Sequence, residues 1–291
     1  MAGINYKPFS GPKEFSSLMP GLFSLYAHGP DDRLSFHFLQ RTLDLRVVCK
    51  ESTAEDVDFP TSPALENAIQ NSADINSPET SAYPPVRDSA WATWLEGTIS
   101  DLTSEIGVPR GEHPPGGPLL DTLTFGVPMV DFHPRCRGFC LFRHHPDHWA
   151  YMILDYSQVN AEDRNGKNHI LRGEVLAATA IFYNEMNESR WDCYQERYLK
   201  PELKYKGGLL TVCFVIFQLH ATIINFMDGK VRVVQATCNP SEEHPILAFT
   251  LRGLYDLDLS HYDKSIVQKV VKWIMSPPNP VYTLSLRVKN V

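Results

Sequence analysis

Nowhere in the 291-residue chain do apolar residues run for the ~18–20 positions that a membrane-crossing helix needs. The longest apolar run, residues 209–217, is the length of a strand. No apolar leader opens the chain, because residues 1–10 are polar. Cysteine is sparse. The six thiols (Cys49, Cys136, Cys140, Cys193, Cys213 and Cys238) are scattered rather than spaced as a disulfide framework. Cys136-x3-Cys140 lacks the second pair that a structural zinc site requires. The expectation is a cytoplasmic protein with reduced thiols and no membrane partner.

Signature motifs are missing as well. There is no Gly-rich phosphate loop, no dinucleotide fingerprint, no Gly-x-Ser-x-Gly and no His-Glu-x-x-His. The commonest nucleotide-dependent and hydrolytic chemistries lose their usual support, and no cofactor and no metal are expected. Basic charge is short in one place only. Residues 51–88 carry eight acids against a single base, Arg87, so 1 − 8 = −7, the net charge of the whole chain. The remaining 26 acidic and 26 basic residues balance. The overall acidity therefore leaves an anionic partner open.

Hydrophobic residues make up 43% of the sequence, enough for a sizeable core. The organising stretch is residues 170–186, ILRGEVLAATAIFYNEM. At 100° per residue, Leu171, Val175, Ala178, Phe182 and Met186 form one stripe, and apolar residues cover most of the remaining surface. A helix apolar nearly all round is a buried helix. Asn168 is the expected N-cap. Gly173 marks close approach of another backbone, since glycine inside a helix costs roughly 1 kcal/mol relative to alanine.

Residues 89–106 form the clearest amphipathic helix, with Trp91, Trp94, Leu95, Ile99 and Leu102 on one stripe and Gly107 as its stop. Residues 262–275 form a second, and residues 191–198 a charged helix. Strands are expected over 22–28 and 34–49, an extended stretch over 119–130, and a hairpin over 138–143 and 149–155. Further strands fall at 209–218, 221–226, 231–237 and 246–251, with Asp228-Gly229 in a hairpin turn. The fold class is α+β, a largely antiparallel sheet packed by a buried central helix and two amphipathic helices. Residues 1–50 supply an arm and strands that join the main sheet, 51–88 read as a disordered acidic insertion, and 89–291 form the main domain.

Glu174 is the anomaly of the central helix, a carboxylate between apolar stripes. A buried carboxylate needs a partner, a raised pKa or a metal. Two readings stand: a structural pair with an arginine, or a site carboxylate. Asp155 ends a strand, Arg172 opens the helix and Gln235 interrupts an apolar strand. If these three converge on Glu174, they form a polar pocket within an apolar core, and the four are the candidate catalytic residues. Arg143, His148 and Tyr183 are the candidate substrate contacts. His144, His145, Asp147 and His148 cluster at one turn, where metal ligation competes with ordinary turn chemistry. Arg197, Lys200, Lys204 and Lys206, interleaved with tyrosines, suit either a solvated face or an RNA partner such as aminoacyl-tRNA.

The order helix 170–186, three strands, helix 262–275 resembles the αβββα core of the PD-(D/E)xK nucleases, with Glu174 as the helix acid. The sole Asp-x-Lys, at Asp228–Lys230, reads as a hairpin turn instead. The block from Gly138 to Pro278, with HPDHWAY, RGEVLAATA, RVVQA, LYDL and WIMSPP, resembles a family of uncharacterised fungal proteins. A weaker resemblance is to fungal arginine-containing cyclodipeptide synthases. It implies a tRNA-dependent, amide-forming transferase of specialised metabolism without a nucleotide cofactor. Their paired aspartates followed by a glutamate are absent, because Asp31-Asp32 runs into Arg33, Leu34 and Ser35. The alternatives are a non-catalytic interaction protein and a nuclease-like nucleic-acid-binding domain.

Overall fold

Two sequence segments dictate the layering. All eight residues of β5 (His148–Asp155) and all nine of β9 (Leu219–Met227) are buried. Strands apolar on both sides need a cover on both faces of their sheet. The computed structural model describes residues 20–21, 33–35, 46–51, 57–80, 88–107, 128–130, 136–145, 148–156, 169–192, 197–203, 219–227, 229–240, 245–257 and 259–277.

The main sheet has seven strands. Besides β5 and β9 it contains β2 (Arg46–Glu51), β3 (Pro128–Val130), β4 (Cys136–His145), β10 (Lys230–Cys238) and β11 (Ile246–Asp256). Its order is β2-β11-β10-β9-β5-β4-β3. β2 runs parallel to β11 and β5 parallel to β9, and every other pairing is antiparallel. Among the described residues α-helices accompany the sheet at α1 (Pro63–Asn71), α2 (Ala73–Asn76), α3 (Asp88–Glu105), α4 (Arg172–Met186) and α5 (Lys264–Met275). The fold is α+β, with a mixed, largely antiparallel sheet.

Alternation along the strands sorts two cores. Trp149, Tyr151, Ile153, Ala221, Ile223, Val234 and Ala236 pack with α4. Ala150, Met152, Leu154, Ile224, Phe226, Val231 and Val233 pack with α1, α3 and α5 on the other face. All fifteen residues of α4 are buried, as its all-round apolarity requires. The hairpin at Asp228-Gly229 is present: Met227 pairs with Lys230, and Gly229 has φ +73°. Gly107 takes φ +69° just past α3.

Four expectations are corrected. The first concerns 51–88. Residues 57–80 are folded, not disordered: α1, α2 and a 3-10 turn (Pro78–Thr80) lie here. Leu65, Ala68, Ile69 and Ile75 insert into the second core. Ser62 and Ser72 cap the two helices through their hydroxyls, and Lys272 of α5 holds Glu66 at 2.8 Å. The second concerns 191–198, whose described residues, 191–192 and 197–198, are strand and not helix. The chain there belongs to a hairpin of β7 (Asn187–Asp192) and β8 (Arg197–Leu203). Thirdly, 34–49 is not one strand. β1 (Arg33–Ser35) pairs with β6 (His169–Leu171) in a small sheet, and β2 joins the main one. Finally, α4 starts at Arg172 directly after β6, later than a cap at Asn168 would set it, and Asn168 itself lies outside the described residues. The strands expected at 22–28 and 209–218, and residues 119–127, lie outside the described residues.

Candidate functional site

The start of α4 is where polar residues enter the first core. Gly173 lets the helix sit on β4: a Cβ there would lie 2.5 Å from Cys136 Sγ. With Leu171 just before the helix, Glu174 is its third residue. Its Oε2 accepts the Leu171 backbone N–H at 3.0 Å, the reach-back half of a capping box. The other face of the carboxylate meets β10. Arg232 lies on the α4 side because it shares strand parity with Val234 and Ala236. Its Nε donates to Glu174 Oε1 at 2.6 Å and its Nη2 to Oε2 at 3.4 Å. Glu174 is 0% and Arg232 4% exposed.

Two further groups complete this cluster. Asn225 is the cross-strand neighbour of Arg232. It is fully buried, and neither its amide oxygen nor its nitrogen has a partner among the described residues. Asp155 is buried opposite Cys136 in the β4–β5 ladder. Burial, then the charge of Asp155, pushes the Cys136 thiol well up; Arg172 works against that and Glu174 with it. Asp155, Arg172 and Glu174 thus all lie near Cys136.

Gln235 does not join them. It stands three positions from Arg232, an odd step along a strand, so it projects from the opposite face. There its Oε1 accepts from Arg252 Nε at 3.1 Å and Nη2 at 2.7 Å. Arg252 in turn lies over the Trp273 ring at 5.6 Å.

The expected substrate contacts also divide between faces. Arg143 stacks on Trp149, with its guanidinium carbon 4.3 Å from the ring centroid. Tyr183 belongs to the same core as Trp149, and burial raises its phenol pKa. His148 turns the other way: its Nε2 is 2.7 Å from Thr222 Oγ1, and its ring stacks on His220 at 5.6 Å. Among the described residues no three metal-ligating side chains come together. The side chains of His144, His145 and Asp147 lie outside that set, as do those of Arg197 and Lys200 on β8 and residues Lys204 and Lys206. Lys230, the lysine of the Asp-x-Lys triplet, pairs with Asp256 at 3.1 Å at the hairpin end, where Asp256 is 61% exposed.

Sequence reasoning identified the anomalous acid but missed its partner. Arg232 and Arg252 carry charge-assisted contacts on opposite faces of the sheet, and Asn225 lies buried beside Arg232. The available signal was Arg232 itself, a charge inside an apolar strand, on the parity of Val234 and Ala236. Comparison with protein-family models and with curated proteins finds no match for the chain.

Proposed function

We propose that this chain is a non-catalytic interaction protein with a nuclease-like αβββα core, in which Glu174 is structural. The observation that carries this reading is the saturated carboxylate. One oxygen faces Arg232 Nε, the other takes the Leu171 N–H, and nothing of Glu174 is exposed. A general acid or base has to come within hydrogen-bond reach of substrate. A nuclease acid has to hold a divalent cation, and here a guanidinium already neutralises it. With the β7–β8 pair between α4 and β9 set aside as an insertion, the order α4, β9, β10, β11 and α5 supports the core assignment, while the lysine of the triplet lies at a hairpin end. The basic residues Arg197, Lys200, Lys204 and Lys206 nominate RNA as the first partner class to assay.

A paired set of variants tests this. Glu174→Gln strands a buried guanidinium and is expected to cost about 3–5 kcal/mol in a denaturant melt. Replacing the pair together, Glu174→Leu with Arg232→Met, is expected to recover most of that loss. Wild type incubated with Mg2+ or Mn2+ should leave single- and double-stranded DNA and RNA intact, and form no dipeptide from aminoacyl-tRNA. A stable Glu174→Gln protein whose product or cleavage activity drops by ~10²-fold or more would establish catalysis instead.

A further inference from the structure

Three arginines of the main sheet offer the same edge of the guanidinium, Nε–H beside Nη2–H. In Arg232 this fork holds the Glu174 carboxylate, at 2.6 and 3.4 Å. In Arg252 it holds the Gln235 amide oxygen, at 3.1 and 2.7 Å. In Arg143 it holds nothing among the described residues, although Nε and Nη2 are both buried. The guanidinium carbon nevertheless sits over the Trp149 ring, 4.3 Å from its centroid. Arg252 has the same arrangement, a fork filled by an oxygen and a plane set over a tryptophan.

Of these three forks that of Arg143 is the unfilled one, although Arg137 Nε on the same strand is likewise buried without a partner among the described residues; two empty donors on one guanidinium edge call for a ligand. Buried charged donors without an acceptor are among the least tolerated groups in a protein, and native structures pair them or fill the site. Burial drives the Arg143 pKa down, the direction for a cation lacking a counter-charge. The position suits a site. Arg143 lies near the end of β4 that turns into β5, and it is only partly buried as a residue. A guanidinium edge presents two parallel N–H groups that match two oxygens of a planar or tetrahedral oxyanion. Contact with the Trp149 ring restrains the guanidinium, so less rotamer entropy is lost when an anion docks.

We propose that the Arg143 fork, backed by the Trp149 ring, is an oxyanion-binding site that takes a carboxylate or a phosphate. It is separate from the Glu174–Arg232 pair and does not depend on the reading of that pair.

The test uses the full chain. Sodium phosphate and sodium acetate are titrated separately at constant ionic strength made up with chloride. Binding is read by calorimetry and by the Nε–H resonances of the arginines. Saturable binding of one anion is expected, and which one saturates identifies the ligand class. Arg143→Lys keeps the charge but loses the fork, and is expected to weaken binding at least ~10-fold; Arg143→Met should abolish it. Lys230→Met, which removes a partly exposed charge already paired with Asp256, should bind within about twofold of wild type, since such surface charges contribute little. The proposal is overturned if neither anion saturates folded wild type, or if Arg143→Lys binds as wild type does. If Arg143→Met fails to fold, the lysine variant and the wild-type Arg143 resonance still decide.

Discussion

Asn225, on the sheet face beneath α4, and Glu174, on α4 itself, illustrate two outcomes of burying a polar side chain. Glu174 is compensated by three donors within 3.4 Å. Asn225, next to Arg232 in the ladder, has neither amide atom compensated among the described residues. A buried amide without partners costs about 1–3 kcal/mol by mutational measures. Leucine is close to asparagine in length and carries no polar atom. Asn225→Leu is therefore expected to stabilise the protein, by about 1–2 kcal/mol in the denaturant midpoint at unchanged slope. A loss of stability would mean that the amide has work to do at the start of α4, such as holding a buried water, and would make Asn225 part of a site. Arg232 needs the opposite treatment, because removing either member of a desolvated pair leaves the other charge uncompensated.

At the scale of elements, α1 shows how composition misleads. Residues 51–88 are acidic and rich in serine, proline and asparagine, and that average suggested disorder. Yet Leu65, Ala68 and Ile69 stand at i, i+3 and i+4, enough for one apolar stripe on a nine-residue helix. Ser62 precedes Pro63 as N-cap before N1, a start signal legible in the sequence. Ile69 is 0% exposed, so Ile69→Ala is expected to cost about 2–5 kcal/mol. A melting temperature unchanged by this substitution would return the segment to the role of a linker. α4 and the Asp228-Gly229 turn were legible because one local rule decided each: all-round apolarity in the first, glycine's left-handed φ in the second. The hairpin over 187–203 was not, because charged residues fit a helix face or a strand pair equally, and tertiary pairing made the choice. The candidate site was half legible. Glu174 stands out within its own helix, whereas Arg232 and Gln235 are separated only by counting strand parity across a sheet not yet known.

For the molecule as a whole, the order β2-β11-β10-β9-β5-β4-β3 places β9 and β10 inside, with α4 over one face and α1, α3 and α5 over the other. An amide there can exchange only when a covering layer and a neighbouring strand leave together, which approaches global unfolding. β3, a three-residue edge strand with one neighbour, opens at far lower cost. Hydrogen exchange under native conditions should therefore rank β9 and β10 slowest, with free energies near the global value, and β3 and the four-residue α2 among the fastest. The buried thiols offer an independent reading. Cys238 on β10 is 1% and Cys136 on β4 4% exposed, while Cys140 is partly open. Burial also keeps Cys136 protonated, and the thiol is the unreactive form. An alkylating reagent should thus label Cys140 in the folded state, and reach Cys136 and Cys238 only at the rate at which β9 and β10 exchange. If Cys238 reacts as fast as Cys140, the sheet opens at β10 without unfolding, and the layer formed by α4 is a movable lid over the Glu174–Arg232 pair rather than the fixed cover that its fifteen buried residues imply.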